Sequence, residues 1–252
     1  MEIENTTPRR IPKIIHYCWF GRGEMPQLAK DCIESWRKYL PEYEYRLWNE
    51  DSFDINSNKF VQEAYHRRKF AFVTDYVRLY ALYHEGGVYM DTDVEVLRPL
   101  DEFLVYPAFS GFEIDEAIPT GIMAAEKGST WAKRELEYYE TQSFILPNGA
   151  LNIKPNVQII TEHALELGFV PNNQFQIING EFAVFPKDYF CPKSYVDGKI
   201  YLTENTYTIH HFAGSWHTED KALTKLVKVF GKVWGHRIWK VKNLIRKKIK
   251  GI

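Results

Sequence analysis

Phe72-Val-Thr-Asp-Tyr-Val-Arg-Leu-Tyr-Ala-Leu-Tyr-His-Glu-Gly-Gly-Val-Tyr-Met-Asp-Thr-Asp93 changes periodicity once, and that change sets the fold class. Val73, Val77, Tyr80, Ala81 and His84 recur at three- and four-residue spacing, which predicts a helix over Phe72–His84. Gly86-Gly87 terminates it, since glycine takes the left-handed backbone of a helix end without steric cost. Val88–Met90 then reads as a short strand running straight into Asp91-Thr92-Asp93. Helix, glycine turn and strand form a unit of an α/β protein, and the carboxyl end of such a strand is where α/β folds keep ligands.

The flanks continue the alternation. Lys13–Phe20 predicts a buried strand ended by Gly21 and Gly23, Gln27–Leu40 a helix closed by Pro41, Tyr43–Trp48 an alternating strand, and Lys59–Lys69 another helix. Beyond the carboxylates, Val94–Leu97 resumes a strand before Pro99. Ala108–Phe112, Thr120–Ala125 and Tyr207–Phe212 predict further strands, and Thr130–Glu140 and Val157–Leu167 further helices. The expectation is one α/β sandwich over residues 1–218, followed by a tail at 219–252.

The chain has 252 residues, 45% hydrophobic and 26% charged, which excludes wholesale disorder and a disulfide-built miniprotein. Its net charge of -1 conceals an asymmetry: residues 221–252 hold eleven Lys or Arg and no Asp or Glu, leaving 21 basic against 33 acidic residues in the first 220. Cys18, Cys32 and Cys191 are odd in number and show no metal-ligand spacing, which fits a reducing compartment. The first residues are polar and broken by proline, and no apolar run of about 18 residues occurs, so secretion and membrane spanning are not expected.

Two carboxylates separated by one residue at a strand end suit Mg²⁺ or Mn²⁺ shared with substrate phosphates, because such hard ions keep water and phosphate oxygens as ligands. Asp75 and Arg78 lie three apart on one helical face and can address a common ligand; the same spacing also makes an ordinary helix-surface ion pair.

The quoted segment resembles the sugar-binding Asp-x-Asp region of family 32 of the glycosyltransferases. Ile11-Pro-Lys-Ile-Ile-His-Tyr-Cys-Trp-Phe-Gly21 is similar to that family's opening strand, and His210-His-Phe-Ala-Gly-Ser-Trp216 to its closing motif. The resemblance implies a GT-A fold, a Rossmann-like nucleotide-sugar-binding sandwich. It implies that the chain binds a nucleotide-sugar, a UDP-sugar foremost, through Mn²⁺ or Mg²⁺ and transfers the sugar to a glycan acceptor with retention at the anomeric carbon. Asp93 would hold the metal, Asp91 would face the ribose and donor sugar, and Asp75 and Arg78 would address donor hydroxyls and phosphate. Trp19 would stack on the nucleobase, and Gly21 and Gly23 would let the loop approach the nucleotide. His211 is a candidate second metal ligand, and Ser215 and Trp216 candidate donors to the diphosphate. His16 and His210 are expected to be structural. Donor, acceptor and linkage would rest on residues 107–126 and 142–158, which carry no motif.

Two other classes compete. An Asp-based, Mg²⁺-dependent phosphohydrolase also carries an apolar strand followed by Asp-x-Asp, but usually opens with it. A noncatalytic carbohydrate-binding module would use the 15% aromatic content. In the tail, Leu223, Leu226, Val227, Phe230, Val233, Trp234, Ile238, Val241, Ile245 and Ile249 recur at roughly helical spacing among the basic residues. That pattern predicts an amphipathic helix lying on an anionic membrane surface, with the enzyme peripheral on the cytoplasmic face and its acceptor lipid-linked. A helix packed on the acidic body is the alternative. Nucleic acid is not an expected partner, since the globule is acidic and no base-reading motif occurs.

Overall fold

A computed structural model describes residues 10–113, 116–194 and 197–213. The chain divides into units Met1–Phe212 and Ala213–Ile252, and the first is the subject below. The tail reading at 219–252 lies outside the described residues.

Alternation of apolar strand and amphipathic helix builds β1 (Ile14–Cys18), α1 (Gln27–Tyr39), β2 (Glu44–Trp48), α2 (Lys59–His66), α3 (Phe70–Glu85) and β3 (Gly87–Met90). α1 buries Ala29, Cys32, Ile33 and Trp36, a single face, and stops before Pro41. α2 starts at Asn58, whose side chain accepts from the Val61 N–H. α3 is covered on several sides, which is why its apolar residues run almost without interruption. Gly86 and Gly87 end it at φ +71° and +119°. A Cβ on Gly87 would lie 2.6 Å from the Ile14 carbonyl oxygen, so this turn takes no other residue.

β4 (Val94–Val96), β5 (Ala108–Gly111), β6 (Ile122–Ala125), α4 (Thr130–Glu140), α5 (Asn156–Glu166), β7 (Gln176–Ile178), β8 (Phe182–Phe185), α6 (Lys187–Phe190) and β9 (Thr208–His210) complete the described α-helices and strands. Seven strands form one sheet in the order β2-β1-β3-β6-β5-β8-β7. β2, β1, β3, β5 and β8 run in one direction, and β6 and β7 oppose them. This mixed sheet with apolar cores on both faces is the α/β sandwich expected from the sequence. One core gathers α2, α3, α4 and α5 residues, including Phe60, Val77 and Trp131. The other, including Trp36, Met90 and Phe103, lies with α1 and the two-stranded β4-β9 sheet.

β7, β8 and α6 had no strand or helix prediction. β7 and α6 are too short for a periodicity, and Phe182–Phe185 is buried at every position, so it does not alternate. No helix among the described residues is long and apolar enough to cross a membrane.

Candidate active site

Five strands present their carboxyl ends at one edge of the sheet, and Asp91 follows β3 there. Its N–H donates to the Gly121 carbonyl at 2.8 Å, and Val94 N–H returns to the Asp91 carbonyl at 3.0 Å. The Asp-x-Asp turn is thereby closed against β6. The buried Tyr89 fixes the side chain, its hydroxyl donating to Asp91 Oδ1 at 2.6 Å.

Arg78 reaches the same oxygen from α3. Its Nη2 lies 3.4 Å from Asp91 Oδ1 and 3.4 Å from Asp75 Oδ1, its Nη1 donates to the Thr120 carbonyl at 2.6 Å, and its guanidinium sits over the Tyr89 ring. Burial works against this charge, but Asp91, Tyr89 and Asp75 outweigh it and hold the guanidinium above its usual range. Asp75 is itself buried, which pushes its pKa up to about 6 against the pull of Arg78 and of the Asn156 N–H. The Asp75, Arg78 and Asp91 of the sequence reading are thus one contact network.

The closing strand departs from expectation. The resemblance makes His211 the candidate metal ligand, and strand alternation then leaves His210 on the opposite face; in the structure it is His210 that faces Asp93. β9 pairs antiparallel with β4 in the register Val94↔His210, which puts His210 on the Val94 side and His211 on the side of Glu95. His211 Nε2 lies 2.8 Å from Glu95 Oε2. His210 Nε2 lies 3.3 Å from Asp93 Oδ1 and 4.0 Å from Asp91 Oδ2. Burial opposes a charge on His210, but the bond to Asp93 more than offsets it, so its pKa stands well above the ordinary value. Gly121 makes room for the ring: a Cβ there would lie 2.6 Å from His210 Cε1 and Nδ1.

Asp91, Asp93 and His210 each offer one ligand atom, all within 4.8 Å of one another. Two carboxylates and an imidazole form a donor set that fits Mn²⁺ or Mg²⁺ and leaves positions for water and phosphate.

Trp19 stands just past β1, half-buried, its Nε1 donating to the Gly23 carbonyl at 2.6 Å. Gly21 has φ +94°, donates to Glu50 Oε1 at 2.6 Å, and packs so closely on Phe70 that a Cβ would lie 2.4 Å from the ring. Its need for glycine is met by the protein's own packing. His16 is a satisfied core histidine: Trp48 Nε1 donates to its Nδ1 at 3.0 Å, so Nε2–H donates to the Gly86 carbonyl at 2.7 Å. Ser215 and Trp216 lie outside the described residues. Tyr89 and Gly121 escaped the sequence reading, because a strand tyrosine and a glycine before a strand both read as ordinary packing.

The family described as "Glycosyltransferase sugar-binding region containing DXD motif" matches residues 26–110, from α1 through β5. "Inositol phosphoceramide mannosyltransferase 3" of Schizosaccharomyces pombe is 33% identical over 135 residues, covering 50% of this chain and 36% of that protein. "Mannosyl phosphorylinositol ceramide synthase SUR1" of Saccharomyces cerevisiae is 29% identical over 153 residues, 55% of this chain and 38% of that one. The chain thus matches little more than a third of the length of these relatives. Among solved structures, "PaToxG Glycosyltransferase" has a TM-score of 0.46 at 18% identity, over 64% of this chain and 71% of that chain. The matched region takes in α3 and the Asp-x-Asp together, which neither the phosphohydrolase nor the binding-module reading accounts for. With that region folded around the carboxylates at the end of β3, residues 26–110 match the DXD-containing sugar-binding region of glycosyltransferases.

Proposed function

We propose that this chain is a divalent-metal-dependent, retaining glycosyltransferase that moves a sugar from a nucleotide-sugar to a glycan acceptor. The observation that carries the reading is the convergence of Asp91, Asp93 and His210 beside the buried Arg78. Asp91, Asp93 and His210 hold the ion, which when bound neutralises the diphosphate that departs. Here His210 takes the place expected of His211. Arg78, kept charged by the carboxylates around it, adds fixed positive charge near that diphosphate. Tyr89 fixes the Asp91 carboxylate. Asp75 accepts hydrogen bonds from donor-sugar hydroxyls, and Trp19 stacks on the base.

The names of the two fungal relatives support a lipid-linked, inositol-bearing acceptor and a mannose nucleotide beside the UDP-sugars as donors to test. Residues 221–252, rich in Lys and Arg, would bring the enzyme to an anionic membrane surface on the cytoplasmic side and so close to a lipid-linked acceptor. The test is to incubate the purified chain with Mn²⁺ and a panel of UDP- and GDP-sugars and to measure nucleoside diphosphate release with and without inositol phosphoceramide micelles. Release from one donor, increased by the acceptor, is expected. No release from any donor would overturn the proposal.

A further inference from the structure

Along the carboxyl edge of the sheet, Trp19 follows β1, Asp91 follows β3, and Glu113 lies two residues past β5. β6 separates β3 from β5, so Glu113 stands roughly 10 Å along the edge from the Asp-x-Asp strand, at about 4.8 Å per strand. Its backbone is pinned. The Phe112 N–H donates to the Phe185 carbonyl at 2.9 Å, and the Glu113 N–H to the Ala117 carbonyl at 2.9 Å.

The Glu113 side chain is half-buried, yet it makes no hydrogen bond or ion pair with any described residue. Burial raises its pKa, and the charges acting on it are those of His210, Asp91, Lys187 and Asp93. It therefore shares the electrostatic surroundings of the proposed metal ligands without touching a partner of its own. A carboxylate so placed carries a desolvation cost that a ligand's hydroxyl groups would offset.

The line of residues orders the ligands. On the glycosyltransferase reading above, the donor occupies the edge from Trp19 at β1 to Asp91 and Asp93 at β3. The next stretch, toward β5, is where an acceptor must approach the transferred sugar. An acceptor glycan presents hydroxyl donors, and an ionised carboxylate accepts several of them. We propose that Glu113 binds the acceptor sugar, accepting hydrogen bonds from its hydroxyl groups at the β5 end of the sheet edge. It is thus a specificity-determining residue for the acceptor, inside the motif-free segment 107–126. The inference rests on the proposed function.

Steady-state kinetics of the full chain test it, with Mn²⁺, the donor selected by the panel, and inositol phosphoceramide micelles or methyl α-mannoside as acceptor. Glu113→Gln keeps the shape and removes the charge. It is expected to raise the acceptor KM about tenfold or more, the scale of a lost hydrogen bond to a charged group. Calorimetric affinity for the nucleoside diphosphate with Mn²⁺ should stay within about twofold of wild type, and Glu113→Asp should give an intermediate acceptor KM. An unchanged acceptor KM in Glu113→Gln, or an equal loss of nucleotide affinity, overturns the assignment while leaving the glycosyltransferase reading intact. A wild-type chain that cleaves no donor overturns both.

Discussion

His210 Nε2 stands 3.3 Å from Asp93 Oδ1, across the junction of the Asp-x-Asp turn and β9, while its neighbour His211 is turned away to Glu95. The two adjacent histidines therefore make opposite predictions. His210→Gln should weaken Mn²⁺ affinity roughly tenfold or more, the scale on which metal-site substitutions act, and His211→Gln should stay within about twofold of wild type. Titration followed by Mn²⁺ electron paramagnetic resonance decides between them. Loss of affinity in His211→Gln alone would return the role to His211.

Gly121→Ala tests the same geometry without touching a ligand. The added methyl collides with the His210 ring, so the ring must shift and Mn²⁺ affinity should fall. Thermal melting should show a cost of about 1–3 kcal/mol, typical of overpacking. An affinity equal to wild type would mean that the ring can move without consequence.

Asp75 links stability to pH. Its pKa rises from the unfolded value of 3.8 to about 6 on folding, so the folded state holds the proton more tightly and stability falls as pH rises through that interval. Above about pH 6 the buried carboxylate is a cost. Asp75→Asn should therefore gain on the order of 1–3 kcal/mol at pH 8, with the gain shrinking toward pH 4, while donor cleavage is lost. Melting curves at the two pH values check it. A variant less stable than wild type at pH 8 would contradict this account of Asp75.

Arg78→Ala should cost about 3–5 kcal/mol, because it leaves Asp75 and Asp91 without their shared cation. Adding Asp75→Asn should recover part of that loss. Denaturant unfolding of both single variants and the double variant measures the coupling; simple additivity would show that the three groups do not act as a network.

Deleting residues 221–252 should leave donor cleavage largely intact, since every described site residue lies at or before His211, and should abolish binding to anionic vesicles. Binding by the full chain should weaken between 0.1 and 1 M salt, as the screening length drops from about 10 Å to about 3 Å. Cosedimentation of both forms is the measurement. Equal vesicle binding by the truncated chain would refute the anchor.

Much of this fold is legible in the sequence because its first half is locally consistent. α1 and α3 each pair a helical period with a proline or glycine stop, β2 alternates, and the Asp-x-Asp follows β3 directly. Asp75, Arg78 and Asp91 are legible for the same reason: helical spacing and a strand end suffice to bring them together. The histidines are not, because which face His210 takes depends on the pairing of β9 with β4, more than a hundred residues away in the chain. Glu113 carries no motif, and only the placement of β5 two strands from β3 brings it to the edge.

The most direct measurement of the central claim is nucleoside diphosphate release by the purified chain from its preferred nucleotide-sugar, with Mn²⁺ and then with excess chelator, beside folded Asp93→Asn. Release with Mn²⁺, and none with chelator or in the variant, is expected. Full release in chelator, or a wild-type rate in Asp93→Asn, would contradict it.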